Sequence, residues 1–263
     1  MARELDEVKY QVAVANRILS EMGLATHVLA SLGHASMRVP GRPDLFVVKG
    51  RGYKMDALAV VRPEEMIVVD MEGNMVEGPE GASQCYEVKM HSCLYRERPE
   101  VQSVTHTHPR FTNVMALLNA RLKPMCNEGH QLVRHDIPVF PHSRLILSEA
   151  DGMGVVQAMG KSQALILRGH GAVTVGSTLE QSVMAMLHLE EQARMNWYAY
   201  CAAGRDYEGI PERDMDEFAE GFRGMRQQPH LQGPLSRGAA PRGPGQAGGV
   251  WAYYADKVSK DLR

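Results

Sequence analysis

Cysteine is scarce in this chain and scattered. The 263 residues hold four, Cys85, Cys93, Cys126 and Cys201, and no two have the C-x-x-C spacing of a thiolate metal site or redox dithiol. That pattern predicts reduced thiols and a cytoplasmic location. An excess of one charge is also missing. The 29 Lys and Arg against 31 Asp and Glu leave a formal net charge of −2, which offers no basic surface to a nucleic acid. No apolar run approaches the roughly 20 residues that cross a bilayer, so no membrane span is expected. The opening MARELDEVKYQVAVANRILSEMG is charged and amphipathic, unlike a signal peptide. There is no internal repeat. What remains is a chain long enough to bury a proper core.

The elements follow from pattern. Apolar residues at helical spacing over 6–22, closed by Gly23, predict a helix. LFVVKG at 45–50 reads as a strand, and MIVVDMEGNMVEG as two strands about a Glu72-Gly73-Asn74 turn. A helix opened by Ser83 and stopped before Pro99 places Glu87 in its first turn. VQSVTHTH reads as a short strand that Pro109 ends, followed by a helix over about 110–121. ALILRGHGAVTVG at 164–176 reads as strand, tight turn, strand. STLE at 177–180 has the form of a capping box opening a long helix that Gly204 closes near 203, with one further helix possible in 205–228. The Pro/Gly-rich stretch 229–249 predicts a flexible tail, ending in the aromatic segment VWAYYADKVSKDLR. The expected division is a catalytic domain over 1–228 and a tail over 229–263. Mixed strands and helices with hairpins argue an α/β or α+β domain with a mixed sheet.

Eleven histidines are present, and three of them share a logic. In a strand, residues i and i+2 face the same side, so His106 and His108 project together. His170 sits between glycines at a turn linking two apolar strands, where Gly permits close backbone approach. The helix carrying Glu87 runs antiparallel to the strand carrying His106, which brings the carboxylate toward the same end. Three imidazoles and a carboxylate make a catalytic type of metal shell, whereas a structural zinc site favours thiolates. Mn2+, Zn2+, Co2+, Mg2+ and Fe2+ all accept such ligands, one ion per subunit. His91 stands four residues after Glu87, either as a further ligand or as a packed neighbour of the site.

Residues from about 8 to 204 resemble the class II aldolase/adducin family, through Glu87, then HTH at 106–108, then RGHG at 168–171. Upstream, SLGHASMRV at 31–39 resembles the family's GN(I/L)S(V/A)R segment, and VVKGRGYKMDAL resembles its Thr-Gly segment. The resemblance implies an α/β fold, a three-layer α/β/α sandwich with a mixed, largely antiparallel central sheet. It implies a homotetramer with sites between subunits, a divalent metal on His106, His108 and His170, and Glu87 as fourth ligand or general base.

The family's shared chemistry is electrophilic, a metal stabilising negative charge on substrate oxygens. The sequence departs from the sugar-phosphate members. Their Asn is His34 here, their Thr-Gly pair is replaced around Gly50-Arg51-Gly52, and their Ser-Ser pair is Cys85-Tyr86. Cationic and imidazole groups stand instead: His34, Arg38, Lys49, Arg51 and Arg110. Arginine forks suit carboxylates. This looks like the family's decarboxylase branch, acting on hydroxylated aromatic or heteroaromatic carboxylates of the dihydroxyphthalate kind. The expected catalytic residues are Glu87 and His34. The expected substrate contacts are Arg38, Arg51, Arg110, His130 and Tyr253, the last from a tail folding over its own or an adjacent site. Three other readings stay open: an aldolase of a non-phosphorylated hydroxy-keto acid, a non-haem iron oxygenase, and an adducin-like interaction module without catalysis. Only the last has no need of the metal set.

Overall fold

A computed structural model of the protein describes residues 2–231 and 248–262. Eight strands form one sheet: β1 (His34–Val39), β2 (Arg42–Lys49), β3 (Met66–Asp70), β4 (Met75–Glu77), β5 (Ser103–Thr107), β6 (Val139–Phe140), β7 (Ala164–Leu167) and β8 (Gly171–Gly176). Their spatial order is β4-β3-β2-β1-β5-β8-β7-β6. All neighbours are antiparallel except the β6–β7 pair. The helices are α1 (Ala2–Glu21), α2 (Val88–Glu97), α3 (Arg110–Leu117), α4 (His130–Val133), α5 (Glu149–Met159), α6 (Leu179–Ala203), α7 (Glu212–Gly224) and, after the undescribed stretch, α8 (Gly249–Val258).

Two cores explain the layering. One joins α1, α3 and α6 to the sheet through Val12, Ile18, Leu19, Met186 and Leu189. The other joins α2 and α5 through Met90, Leu94, Val155 and Met159 against Val48, Ile67, Val104, Leu165 and Val173. The result is the three-layer sandwich with a mixed, largely antiparallel sheet that the family resemblance implied. Strand alternation then decides which layer each polar residue meets. On β5, Ser103 and Thr105 turn toward α6, where both hydroxyls lie within 2.9 Å of Ser182 Oγ. Val104 belongs to the α2–α5 core, so His106, two residues on, faces that layer too. On β1, Ala35 and Met37 pack with α1, while His34, Ser36 and Arg38 face α2.

Local signals moved at two helix starts. Ser83 is not an N-cap: its backbone N–H and C=O both pair with Arg51, at 3.0 and 2.9 Å, which holds it extended. The helix begins at Val88 and Glu87 is its N-cap residue, one position before the first turn. The long helix is capped by Thr178, which accepts from the Gln181 N–H at 3.1 Å, rather than by Ser177. Glu180 accepts instead from the Gly248 N–H at 2.6 Å.

The aromatic end of the tail has a place in this chain. Helix α8 lies on α1, with Trp251, Tyr254 and Val258 packed against that core. Arg17 of α1 donates to the Val258 carbonyl at 2.9 Å and pairs with Asp261 at 2.5 Å. Residues 232–247 of the expected flexible tail lie outside the described residues.

Arg38 departs from its expected role as a carboxylate contact. It is buried, and its guanidinium donates to the carbonyls of Pro43, Tyr95 and Val101 at 2.6, 2.8 and 3.2 Å while lying over the Tyr95 ring. Its donors are committed to the chain's own backbone, tying β1 to α2 and the loop before β5. Replacing Arg38 by Met leaves those carbonyls without their donor. The expected cost is roughly 2–4 kcal/mol of unfolding free energy, read as a lower urea midpoint with metal binding retained.

Candidate metal centre and active site

Three separate elements deliver the candidate ligands. His106 comes from β5, and His108 lies just past its end, before Pro109 starts α3. His170 lies in the turn between β7 and β8, where its N–H donates to the Leu167 carbonyl at 2.9 Å and its own carbonyl accepts from Asn113 at 3.0 Å. The next residue must be Gly: a Cβ on Gly171 would stand 2.3 Å from the Thr107 carbonyl and 3.1 Å from His106 Cε1. That closeness draws the His170 turn against the His106–His108 segment. Glu87 is anchored by one oxygen, since its Oε1 accepts from the Ile146 N–H at 3.0 Å.

The other carboxylate oxygen faces the imidazoles. Glu87 Oε2 lies 3.3 Å from His106 Nε2 and 3.4 Å from His170 Nε2. His106 Nε2 is 3.2 Å from His108 Nε2. One ligand atom from each of the four residues lies within 4.8 Å of all the others. The donor chemistry fits a cation at their centre. The Ala172 carbonyl, 3.0 Å from His106 Nδ1, takes the proton there and turns the Nε2 lone pair inward. Lone pairs then face lone pairs across the cluster, and both ring nitrogens of His170 are buried without a hydrogen-bond partner. A buried unpartnered nitrogen calls for an explanation, and a metal ligand is a sufficient one. The set of three imidazoles and one carboxylate suits zinc and other first-row divalent ions.

In the metal-free site the same four groups bear on one another's titration. Burial pushes the Glu87 carboxyl up, but His106 and His170 outweigh it and hold the group well below the usual carboxylate range. Burial, then His106 and His170, bring His108 down to about 3. Both groups are therefore in their metal-binding protonation states at neutral pH. His34 is the direct cross-strand partner of His106, with ring centroids 5.4 Å apart. Burial, then His91 and His106, hold it well below the usual histidine value.

The remaining expected residues divide. Lys49 is buried and paired with Asp56, which also lies 3.4 Å from Arg51. The Arg51 guanidinium is 4.6 Å from the centre of the Tyr86 ring, one residue before Glu87. These two cations therefore stand on the Glu87 side of the site. Arg110 is exposed at the start of α3 and lines a cleft of about 420 Å³ with Met22, Leu24, Glu190 and Arg194, none of them in the cluster. His130 is buried, with its ring nitrogens on the Asn127 carbonyl and the Gln131 amide at 2.5 and 2.8 Å. Tyr253 is 61 % exposed on α8, in the layer opposite α2, so it does not reach its own subunit's cluster. His91 is not in the ligand set either. It bonds His34 and Ser36, both at 2.7 Å.

Residues 10–197 match the family model described as Class II Aldolase and Adducin N-terminal domain, and the chain belongs to that family. It is similar to the 3,4-dihydroxyphthalate decarboxylase of Rhodococcus jostii (strain RHA1), 30% identical over 223 residues covering 80% of this chain and 90% of that protein. It is similar also to the L-fuculose phosphate aldolase of Methanococcus vannielii, 27% identical over 172 residues covering 65% of this chain and 86% of the other. Among solved structures, an aldolase II superfamily protein from Pseudomonas syringae superposes with a TM-score of 0.74 at 20% identity, covering 98% of this chain and 94% of that one, which supports the fold. No helix among the described residues is long and apolar enough to cross a membrane.

Two outcomes follow. His106→Ala and His170→Ala should each weaken Zn2+ binding by at least ~100-fold, since even the loss of an outer partner costs ~10–100-fold; competition against a chromophoric chelator measures this, and unchanged affinity in either rejects the cluster. The metal-free protein should also lose stability on acidification. Burial, then His106, bring His91 down to about 3 from an ordinary value of 6.5. Between those values the unfolded chain binds the proton and the folded one does not, so stability falls as pH drops from 6.5 toward 3. From pH 7.5 to pH 5 His91 alone should cost about 2 kcal/mol, with His34 and His108 adding in the same direction. Urea midpoints at the two pH values check it.

Proposed function

We propose that the chain is a divalent-metal-dependent, non-oxidative decarboxylase of a hydroxylated aromatic or heteroaromatic carboxylate or dicarboxylate, of the dihydroxyphthalate kind. The observation that carries this reading is a buried histidine, His34, set beside the Glu87–His106–His108–His170 cluster where the sugar-phosphate members have an asparagine. The similarity to 3,4-dihydroxyphthalate decarboxylase over 80% of the chain supports it.

His106, His108, His170 and Glu87 would hold the ion. When bound, it supplies electrophilic stabilisation for negative charge developing on the substrate. The rest belongs to the protein's own groups. Arg51, beside Lys49 and Asp56, orients a substrate carboxylate. The bond between ring carbon and carboxylate carbon breaks, CO2 leaves, and the electron pair stays with the ring. A proton must then reach that carbon, and His34 Nε2–H is the group we assign to deliver it, the ring taking a proton back from water on the open side of the site once product leaves. His34 is buried between the sheet and α2, 6 % exposed. A homotetramer is part of this proposal, and within it Arg110 and Tyr253, both exposed on the single chain, are the expected residues able to reach a neighbouring subunit's site.

The test is a substrate panel. Protein loaded separately with Mn2+, Fe2+ or Zn2+ is offered ortho-hydroxylated benzene and pyridine dicarboxylates while CO2 release and oxygen uptake are followed together. CO2 release without oxygen uptake is expected, and His34→Asn should lower kcat by ~100-fold or more while metal stays bound. Oxygen uptake would move the reading to an iron oxygenase. Silence toward the panel with cleavage of hydroxy-keto acids would make the chain an aldolase.

A further inference from the structure

A line of four buried polar side chains runs from the interior to His34. Tyr95 Oη lies 2.7 Å from Ser36 Oγ, Ser36 Oγ 2.7 Å from His91 Nδ1, and His91 Nε2 2.7 Å from His34 Nδ1. Ser36, His91 and Tyr95 are each at most 1 % exposed. Phe46 closes the side of the line, its ring stacked 11° from that of His91 and 5.1 Å from that of Tyr95. The far end is sealed, so the line is no route for protons from bulk water.

The direction of its hydrogen bonds can be worked out from the interior outward. The Tyr95 hydroxyl has one side-chain partner among the described residues, Ser36 Oγ. A buried phenol hydrogen without an acceptor is costly, so Tyr95 donates and Ser36 accepts. Ser36 has one hydrogen of its own and two places for it: His91 Nδ1 at 2.7 Å, or the Val104 carbonyl at 3.4 Å. The short contact is the strong one. With Ser36 donating, His91 Nδ1 is the acceptor, and the neutral ring carries its hydrogen on Nε2. That hydrogen points at His34 Nδ1, which must accept. His34 then bears its own hydrogen on Nε2. This nitrogen has no protein partner among the described residues and is not sealed off, the side chain keeping a little exposure to the site.

We propose that Tyr95, Ser36 and His91 are positioning residues that lock His34 in the Nε2–H tautomer, so that the site meets a donor and not a lone pair at this position. The hydrogen-bond order rests on geometry alone; its use, protonation of the ring carbon after CO2 leaves, rests on the decarboxylase reading. A freely tautomerising histidine would present a lone pair part of the time, and in that state it has nothing to deliver. The lock also gives a reason for Ser36 in the middle of a sheet: an alanine there would fill the same space but leave His91 Nδ1 unpaired.

The experiment reads the tautomer directly, by magic-angle-spinning spectra of Zn2+-loaded protein labelled with 15N-histidine, with His34 assigned by its loss in His34→Asn. In the wild type, His34 and His91 should both show a protonated Nε2 and a bare Nδ1. Ser36→Ala should turn His34 into a mixture of tautomers and lower kcat on the decarboxylated substrate by ~10-fold or more with little change in KM. Tyr95→Phe removes the hydrogen that sets Ser36 and should shift part of the His34 signal from the Nε2–H to the Nδ1–H form. A wild-type His34 protonated on Nδ1 overturns the lock, and so does a His34 signal indifferent to Ser36→Ala. Should Ser36→Ala fail to fold, the wild-type and Tyr95→Phe spectra still decide the matter. Should no substrate on the panel lose CO2, the decarboxylase reading falls while the tautomer measurement keeps its meaning.

Discussion

Everything near the site answers to one constraint: polar groups buried in a medium of low polarity must be partnered, whether by hydrogen bonds or by a cation. The α2 face of the sheet carries His34, Ser36, Arg38 and His106 in a layer otherwise built of Val48, Ile67, Val104 and Val173. Each polar group has a specified answer. Arg38 is satisfied by three backbone carbonyls, Ser36 by Tyr95 and His91, and His106 by the Ala172 carbonyl on one nitrogen. The other nitrogen of His106, one nitrogen each of His108 and His170 and one oxygen of Glu87 turn toward a common centre, where a divalent ion is the partner that suits them all. The same constraint builds the scaffold and opens the site to a ligand.

Much of this was legible from residue spacing. The period-2 relation of His106 and His108 survives, because a strand leaves no other choice, and the Gly-flanked His170 sits where the expected tight turn puts it. Helix α1, the β3–β4 pair, the β7–β8 hairpin and the long α6 correspond to their apolar patterns. What escaped had a physical reason. Strand β1 reads HASMRV, and its α2-facing positions are His, Ser and Arg, so the alternation that marks a half-buried strand is inverted on the buried side. Helix α5 carries Gly152 and Gly154, poor helix formers kept for close packing: a Cβ on Gly152 would stand 2.6 Å from Cys93 Sγ of α2 and 2.8 Å from the Lys89 carbonyl. Ser83 looked like a cap until tertiary pairing with Arg51 claimed its backbone.

The site was legible as a ligand set and much less so as a surrounding shell. Charge type suggested that Arg38 meets substrate, yet charge says nothing of what a guanidinium already holds. The carbonyls that claim it come from residues 43, 95 and 101, three places that only the folded chain brings together. His130 is the same case, with both ring nitrogens taken by neighbours in its own loop. Conversely, Ser36 and Tyr95 carried no signal individually. The signals that existed were spacings: His34 and Ser36 at i and i+2 on one strand, His91 and Tyr95 at i and i+4 on one helix, two ladders of matching pitch laid face to face.

That matching ties the identity of residue 34 to its neighbours. An asparagine at this position can present either a donor or an acceptor by turning its amide, so it asks nothing of the layer beneath it. A histidine offers the site one nitrogen, and whether that nitrogen is a donor or an acceptor depends on what the other one meets. His34 Nδ1 meets His91, which is itself undecided until Ser36 meets it, and Ser36 in turn is set by Tyr95. Exchanging Asn for His here is therefore a change of four residues in function though of one in position. Restoring Asn at 34 would leave His91 Nε2–H facing a shorter side chain in a closed apolar slot, and exchanging Ser36 alone would leave His34 in place but uncommitted. The cation-binding face and the α2 core are in this sense one structure, since the core's hydrogen bonds decide what the site can offer.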